Sequence, residues 1–134
     1  MAAAGASSGR IAVRNATEKS LAFSKSLTQT APRVVSLHRD LLRSVPWIKR
    51  AYTVPMTEPI MRSLITESFR AKRGESDVNN VNRLITMGRM ELEETLMLWK
   101  GASHVNNWFE AAAAAQAEKA EKPKGFLENF YENR

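Results

Sequence analysis

The chain has 134 residues, 43% hydrophobic and 25% charged, which suffices for one domain of ordinary globular composition. It contains no run of about 18 apolar residues, so no segment reads as a membrane-spanning helix, and the absence of cysteine excludes disulfides, thiolate metal sites and a cysteine nucleophile together. The net charge of +6 is uneven: residues 1–73 hold 13 Lys/Arg against 4 Asp/Glu and residues 74–134 hold 7 against 10, which points to an anionic partner for the front half, whether acidic protein, nucleic acid or lipid surface.

In chain order, residues 1–32 are rich in Ala, Ser, Thr and basic residues, a composition near that of a mitochondrial transit peptide, and are expected to form a retained, extended basic arm ordered against another surface. A first helix is expected from Pro32 to an interruption at Pro46, because proline suits a first turn and removes an amide inside a helix. On its wheel Val34, Val35, Leu37, His38, Leu41, Leu42 and Val45 share one half, while Ser36, Arg39, Asp40 and Arg43 take the other. Trp47–Tyr52 adds a turn or two, and Thr53–Met56 is a connector because the residue before Pro55 is pushed out of helix.

The second helix is expected to start with Thr57 as N-cap and Pro59 in its first turn, and to end at Gly74. Its apolar arc is Ile60, Met61, Leu64, Ile65, Phe69 and Ala71. Ser76 or Asp77 caps a third helix reaching Lys100, with Gly101 as its stop. The core stripe there is Val78, Val81, Ile85, Leu92, Leu96 and Trp99, with Gly88 near its centre. A central glycine costs about 1 kcal/mol relative to alanine, which signals either close approach of a neighbouring helix or room for a guest. Met87, Met90, Met97 and Leu98 lie off the stripe and form a second apolar face. Residues 103–109 add a helical turn, the alanines of 111–115 form a helical spacer without an apolar stripe, and Phe126, Leu127, Phe130 and Tyr131 form a one-sided hook that needs a partner surface.

Catalytic signals are thin. His38 and His104 are the only histidines, and no nucleophile elbow, phosphate loop or metal-ligand spacing is present. Glu91, Glu93 and Glu94 diverge on a helix and read as a solvated acidic surface rather than a cation site. The chain reads as a non-enzyme. Arg39 and Arg43 on the first helix, with Arg62, Arg70, Lys72 and Arg73 on the second, merge into one basic patch beside Phe69 if the two helices are antiparallel. Arginine forks suit carboxylate and phosphate.

Leu37-His38-Arg39 followed by Leu42-Arg43 resembles the Leu-Tyr-Arg signature of the mitochondrial LYR proteins, with His38 where the family places tyrosine. Residues 61–73 are similar to that family's second helix, with its phenylalanine and trailing basic residues. Residues 88–100 and Lys122-Pro123-Lys124-Gly125-Phe126-Leu127-Glu128-Asn129-Phe130-Tyr131 resemble the LYR accessory subunits of respiratory complex I. The resemblance spans residues 33–131.

It implies an all-α fold: a three-helix LYR bundle over 33–101, preceded by the arm of 1–32 and followed by a helical tail over 102–134. It also implies a partner, the mitochondrial acyl carrier protein, met by Leu37, His38, Arg39, Arg43, Arg62, Phe69, Arg70, Lys72 and Arg73. The carrier's acylated 4'-phosphopantetheine would enter between the helices at Leu41, Ile65, Ile85, Gly88 and Leu92; the chain itself has no cofactor or metal. Met90, Met97, Trp99, Phe126, Leu127, Phe130 and Tyr131 would dock the pair onto other subunits of the complex I matrix arm at the mitochondrial inner membrane. The rivals are an LYR adaptor for iron-sulfur assembly or another respiratory complex, a basic nucleic-acid module using Trp47 and Tyr52, and a membrane-surface amphipathic protein.

Overall fold

The computed structural model describes residues 23–121, which form helices and no strand. The described residues hold four helices: α1 (Leu27–Tyr52), α2 (Glu58–Ala71), α3 (Val78–Leu96) and α4 (Ala102–Ala120). The all-α expectation holds, but the expected third helix is followed by a full fourth one that joins the bundle. The hook, Phe126 to Tyr131, and residues 1–22 of the arm lie outside the described residues.

α1 is the axis. It packs along α2 on one side and α3 on another, while α4 closes mainly on α2. The helix starts earlier than Pro32, at Leu27, because Ser26 supplies an N-cap whose side chain accepts from the Gln29 amide at 3.4 Å. Residues 27–32 of the expected extended arm are therefore helical. Pro46 does not interrupt it either. A proline inside a helix costs about 3 kcal/mol, but Val45, Ile48 and Tyr52 on both sides of it are buried, and each such burial returns about 1.5–3 kcal/mol. Packing outweighs the lost hydrogen bond. α1 ends at Thr53, whose φ of 51° is left-handed, and the Val54 amide also returns to the Lys49 carbonyl at 3.2 Å.

α2 begins with Thr57 as N-cap and Pro59 in its first turn. It ends at Ala71, short of Gly74, because the Lys72 and Arg73 amides bond the Phe69 and Arg70 carbonyls in a tightened last turn. Met61, Leu64 and Ile65 face the core; Ile60 and Ala71 from the expected arc are exposed. Asp77 caps α3 by accepting from the Asn79 amide. That helix stops at Leu96, four residues before the expected Lys100. Leu98 takes a left-handed φ of 61° and the Trp99 amide reaches back to the Glu94 carbonyl at 3.0 Å. Trp99 leaves the core stripe and stands 69% exposed, and Gly101 is the N-cap of α4 rather than the stop of α3.

The main core gathers Val45, Ile48, Tyr52, Val54, Met61, Leu64 and Ile65 with Val105 and Phe109 from α4. Ala112 and Ala113 pack against it, so the first turn of the alanine run is a packing surface and not a spacer through solvent. Tyr52 ties the ends together: its hydroxyl donates to the Thr95 carbonyl at 2.7 Å, and its own carbonyl accepts from Asn106 at 3.3 Å. No helix among the described residues is long and apolar enough to cross a membrane.

Candidate functional site: the basic edge of α1 and α2

His38 marks the seam between α1 and α2. Its Nε2 lies 3.0 Å from Thr66 Oγ1, and its ring leans on Phe69 with centroids 5.0 Å apart. The histidine at the tyrosine position therefore points across to α2. With about 100° per residue, Arg39 follows His38 round α1 toward solvent. On α2 the same rotation puts Arg62 and Arg70 on the flank that carries Thr66 and Phe69, while Lys72 and Arg73 follow in the turn past the helix end. Arg39 and two cations of α2 thus stand on the helix flanks that carry this half-buried aromatic pair.

Arg43 sits further round, toward α3, where its Nη1 is 3.9 Å from Asp40 Oδ1. Arg62 pairs with Glu58 at 3.8 Å and Arg70 with Glu67 at 2.7 Å, both on exposed turns of α2. Arg39, Lys72 and Arg73 are exposed, with no ion pair to an acid among the described residues. Surface pairs of this kind contribute about 0–1 kcal/mol each, so an incoming carboxylate can replace the local partner at little cost. Leu37, placed with these residues by resemblance, is buried instead and faces α3.

Leu37 also explains Gly88. A Cβ at position 88 would stand 2.7 Å from Leu37 Cδ2, so the glycine lets α1 and α3 approach and the space beside it is filled by leucine. Ile85 and Leu92 are buried on the same helix. Leu41 and Phe69 are partly buried and packed against the main core, next to Ile65.

The remainder of the α1–α3 seam is polar, which the wheel reading missed. Arg89 is 2% exposed; its Nη1 donates to Asp40 Oδ2 at 2.5 Å and its Nη2 to Ser36 Oγ at 3.1 Å. Ser36 and Asp40, expected on the solvent half of α1, face α3. About two turns away, Arg33 Nη1 donates to Asn82 Oδ1 at 2.6 Å and to Ser24 Oγ at 2.9 Å. Asn82 in turn holds the chain entering α1, accepting from the Ser24 amide at 3.1 Å and donating to its carbonyl at 2.7 Å. Burial first, and then the charge of Arg89, lower the pKa of Arg33. The signal was present: Asn82, Ile85, Arg89 and Leu92 recur at helical spacing, so two polar side chains stand on the apolar stripe itself.

The second apolar face is real and open. Met87, Met90, Met97, Leu98 and Trp99 are between 42% and 69% exposed. Beside them Lys100 pairs with Glu91, and burial of the ammonium lowers its pKa. Tyr52, which a nucleic-acid module would use for stacking, is 3% exposed and bonded to Thr95, so it presents no face to a base. No cluster of metal-ligating side chains exists among the described residues.

No profile of a known protein family matches the chain. It is 30% identical over 104 residues to NADH dehydrogenase [ubiquinone] 1 alpha subcomplex subunit 6 from Dictyostelium discoideum, a match covering 78% of this chain and 83% of that protein. With the LYR-type pattern on α1 and the helical bundle that carries it, this likeness shows that the chain belongs to the family of that subunit, the LYR accessory subunits of respiratory complex I.

Proposed function

We propose that this protein is a non-catalytic accessory subunit of complex I at the mitochondrial inner membrane, and that on the matrix side it anchors an acyl carrier protein through the basic edge of α1 and α2. Family membership carries the complex I role. The arrangement that supports the carrier is the His38–Phe69 pair at the α1–α2 seam, with Arg39, Arg62 and Arg70 on the flanks of the two helices and Arg73 just past the end of α2. Guanidinium forks there bond the carboxylates of an acidic helix and a phosphate. Arg43 and Lys72 extend the charge on either side.

The carrier's acylated 4'-phosphopantetheine supplies an apolar chain, worth about 0.8 kcal/mol for each methylene that leaves water. Leu41, Ile65 and Phe69 fit such a chain on the α2 side of α1. The α3 side fits it less well, since Leu37 fills the space at Gly88 and the ion pair of Arg89 and Asp40 lies close by. We therefore route the chain along α1 and α2, with Ile85, Gly88 and Leu92 reached only if Leu37 swings aside. Met90, Met97 and Trp99, together with Phe126, Leu127, Phe130 and Tyr131 of the tail, form the surface toward the other subunits.

The test is the intact mass of what co-purifies with the tagged protein. An acidic carrier bearing phosphopantetheine plus a fatty acyl group is the expected companion. Recovery of complex I subunits without any carrier would remove the anchoring role and leave only the accessory one.

A further inference from the structure

His38 stands where the family places tyrosine, and histidine is the side chain whose charge changes in the physiological range. Its two ring nitrogens have different surroundings. Nε2 lies 3.0 Å from Thr66 Oγ1 across the α1–α2 seam. Nδ1 has no hydrogen-bond partner among the described residues. It still meets water, because the one buried side-chain nitrogen or oxygen left without a partner among those residues is Asn106 Oδ1. The ring is anchored at one nitrogen and available at the other.

Protonation leaves the anchor intact. A hydroxyl both donates and accepts, so Thr66 donates to a bare Nε2 or accepts from a protonated one, and the seam closes in either charge state. Phe69, its ring centroid 5.0 Å from that of His38, offers a π surface beside a positive ring. What changes is Nδ1: in the imidazolium both nitrogens donate, and the outward one presents a charged N–H. A phenol at this position stays neutral through the same range, so the response belongs to histidine.

The surrounding charges bring anions to this place. On α1, Arg39 is adjacent and exposed, while Asp40 is turned to Arg89 of α3 and to Arg43. α2 is the element that the ring touches; there Arg62 is paired with Glu58 and Arg70 with Glu67, and Lys72 and Arg73 follow past the helix end. A carboxylate or phosphate drawn to these guanidiniums arrives at the open side of the seam, where Nδ1 meets water.

We infer that His38 makes capture of the carrier proton-linked: an anionic group of the bound partner accepts from Nδ1–H, and a proton is taken up from solvent as the complex forms. By linkage the complex is tightest on the acidic side of neutrality and weakens as pH rises. The inference rests on the carrier reading of this edge and is specific to the histidine of this chain.

The experiment is isothermal titration calorimetry of the full-length protein with mitochondrial acyl carrier protein charged with myristoyl-phosphopantetheine, from about pH 6 to about pH 8, in two buffers of different ionisation enthalpy. His38→Tyr and His38→Gln are measured alongside, with circular dichroism confirming equal helicity. Titrating groups on the carrier act equally on all three chains, so a difference in slope belongs to His38. The affinity of the unaltered protein is expected to fall several-fold across this range, with proton uptake on binding, and both variants are expected to lose that fall and that uptake. Equal slopes in all three chains, with binding retained, would overturn the inference and leave the anchoring role standing. Where the variants do not bind, an affinity of the unaltered protein that stays level with pH overturns it as well. No binding by any chain at any pH would remove the anchoring role, and this inference with it.

Discussion

Arg89 donates to Asp40 across the α1–α3 seam at 2.5 Å, the guanidinium sealed from water and the carboxylate side chain 23% exposed. The two ends of this pair are unequal. Asp40 retains access to solvent and has Arg43 at 3.9 Å, whereas Arg89 without Asp40 keeps only the Ser36 hydroxyl as a partner from α1. Breaking a buried pair by removing one partner costs about 3–5 kcal/mol. Asp40→Ala is expected to fall in that range and Arg89→Met below it. In urea unfolding, the reverse order would show that the carboxylate, not the guanidinium, is the charge that needs its partner.

Leu37 and Gly88 form a second contact whose sign is testable. Overpacking a core costs about 1–3 kcal/mol, while replacing a mid-helix glycine by alanine returns about 1 kcal/mol. Gly88→Ala is therefore expected to destabilise by about 1 kcal/mol. In a Leu37→Ala background the clash is gone, so the same change should stabilise. A double-mutant cycle without coupling would mean that a side chain at position 88 does not meet that leucine.

Leu98 is strained and exposed at once, with φ at 61° and 58% of its surface in water. Left-handed backbone costs a non-glycine residue about 1–2 kcal/mol, and the side chain belongs to no part of the buried core. Leu98→Asn should raise the melting temperature of the isolated protein and reduce its incorporation into complex I. An increase in stability with normal incorporation would show that the knuckle at residues 97–99 docks nothing.

Tyr52 gives the alkaline behaviour. Burial raises its pKa above 10.0, because the charged phenolate would lose its hydration. On raising the pH the unfolded phenol loses its proton first, near 10, and the folded one later. The stability due to this group is thus fully present below pH 10 and is lost as pH rises through the folded pKa. Tyr52→Phe should cost about 1 kcal/mol at neutral pH, the usual net value of one hydrogen bond, and should flatten the alkaline limb of stability against pH. An unchanged limb would assign it to another group.

Much of this fold is legible in the chain because local rules and packing agree. Thr57 with Pro59, Asp77 before Val78 and the Thr53–Met56 connector all stand where capping and proline geometry put them. The departures have two causes. At Pro46, Gly74 and Gly101 the local signal for a helix end is overruled, by burial of Val45 and Ile48 in the first case and by tight turns at Lys72 and Leu98 in the others. The LYR-like pattern indicated which helices carry the basic edge. It did not indicate that Leu37 turns inward or that Ser36 and Asp40 serve a buried arginine, because a wheel drawn for one helix contains no information on its neighbour's polar residues.

The central claim is that the edge shared by α1 and α2 recognises an acidic carrier. Its most direct measurement is the amount of acylated carrier protein captured by Arg39→Glu/Arg43→Glu, set against Arg83→Glu/Lys119→Glu, which makes the same change of net charge away from the edge. Loss of the carrier from the first variant alone, with helical content intact in both, is the predicted result; equal capture by the two would contradict the account.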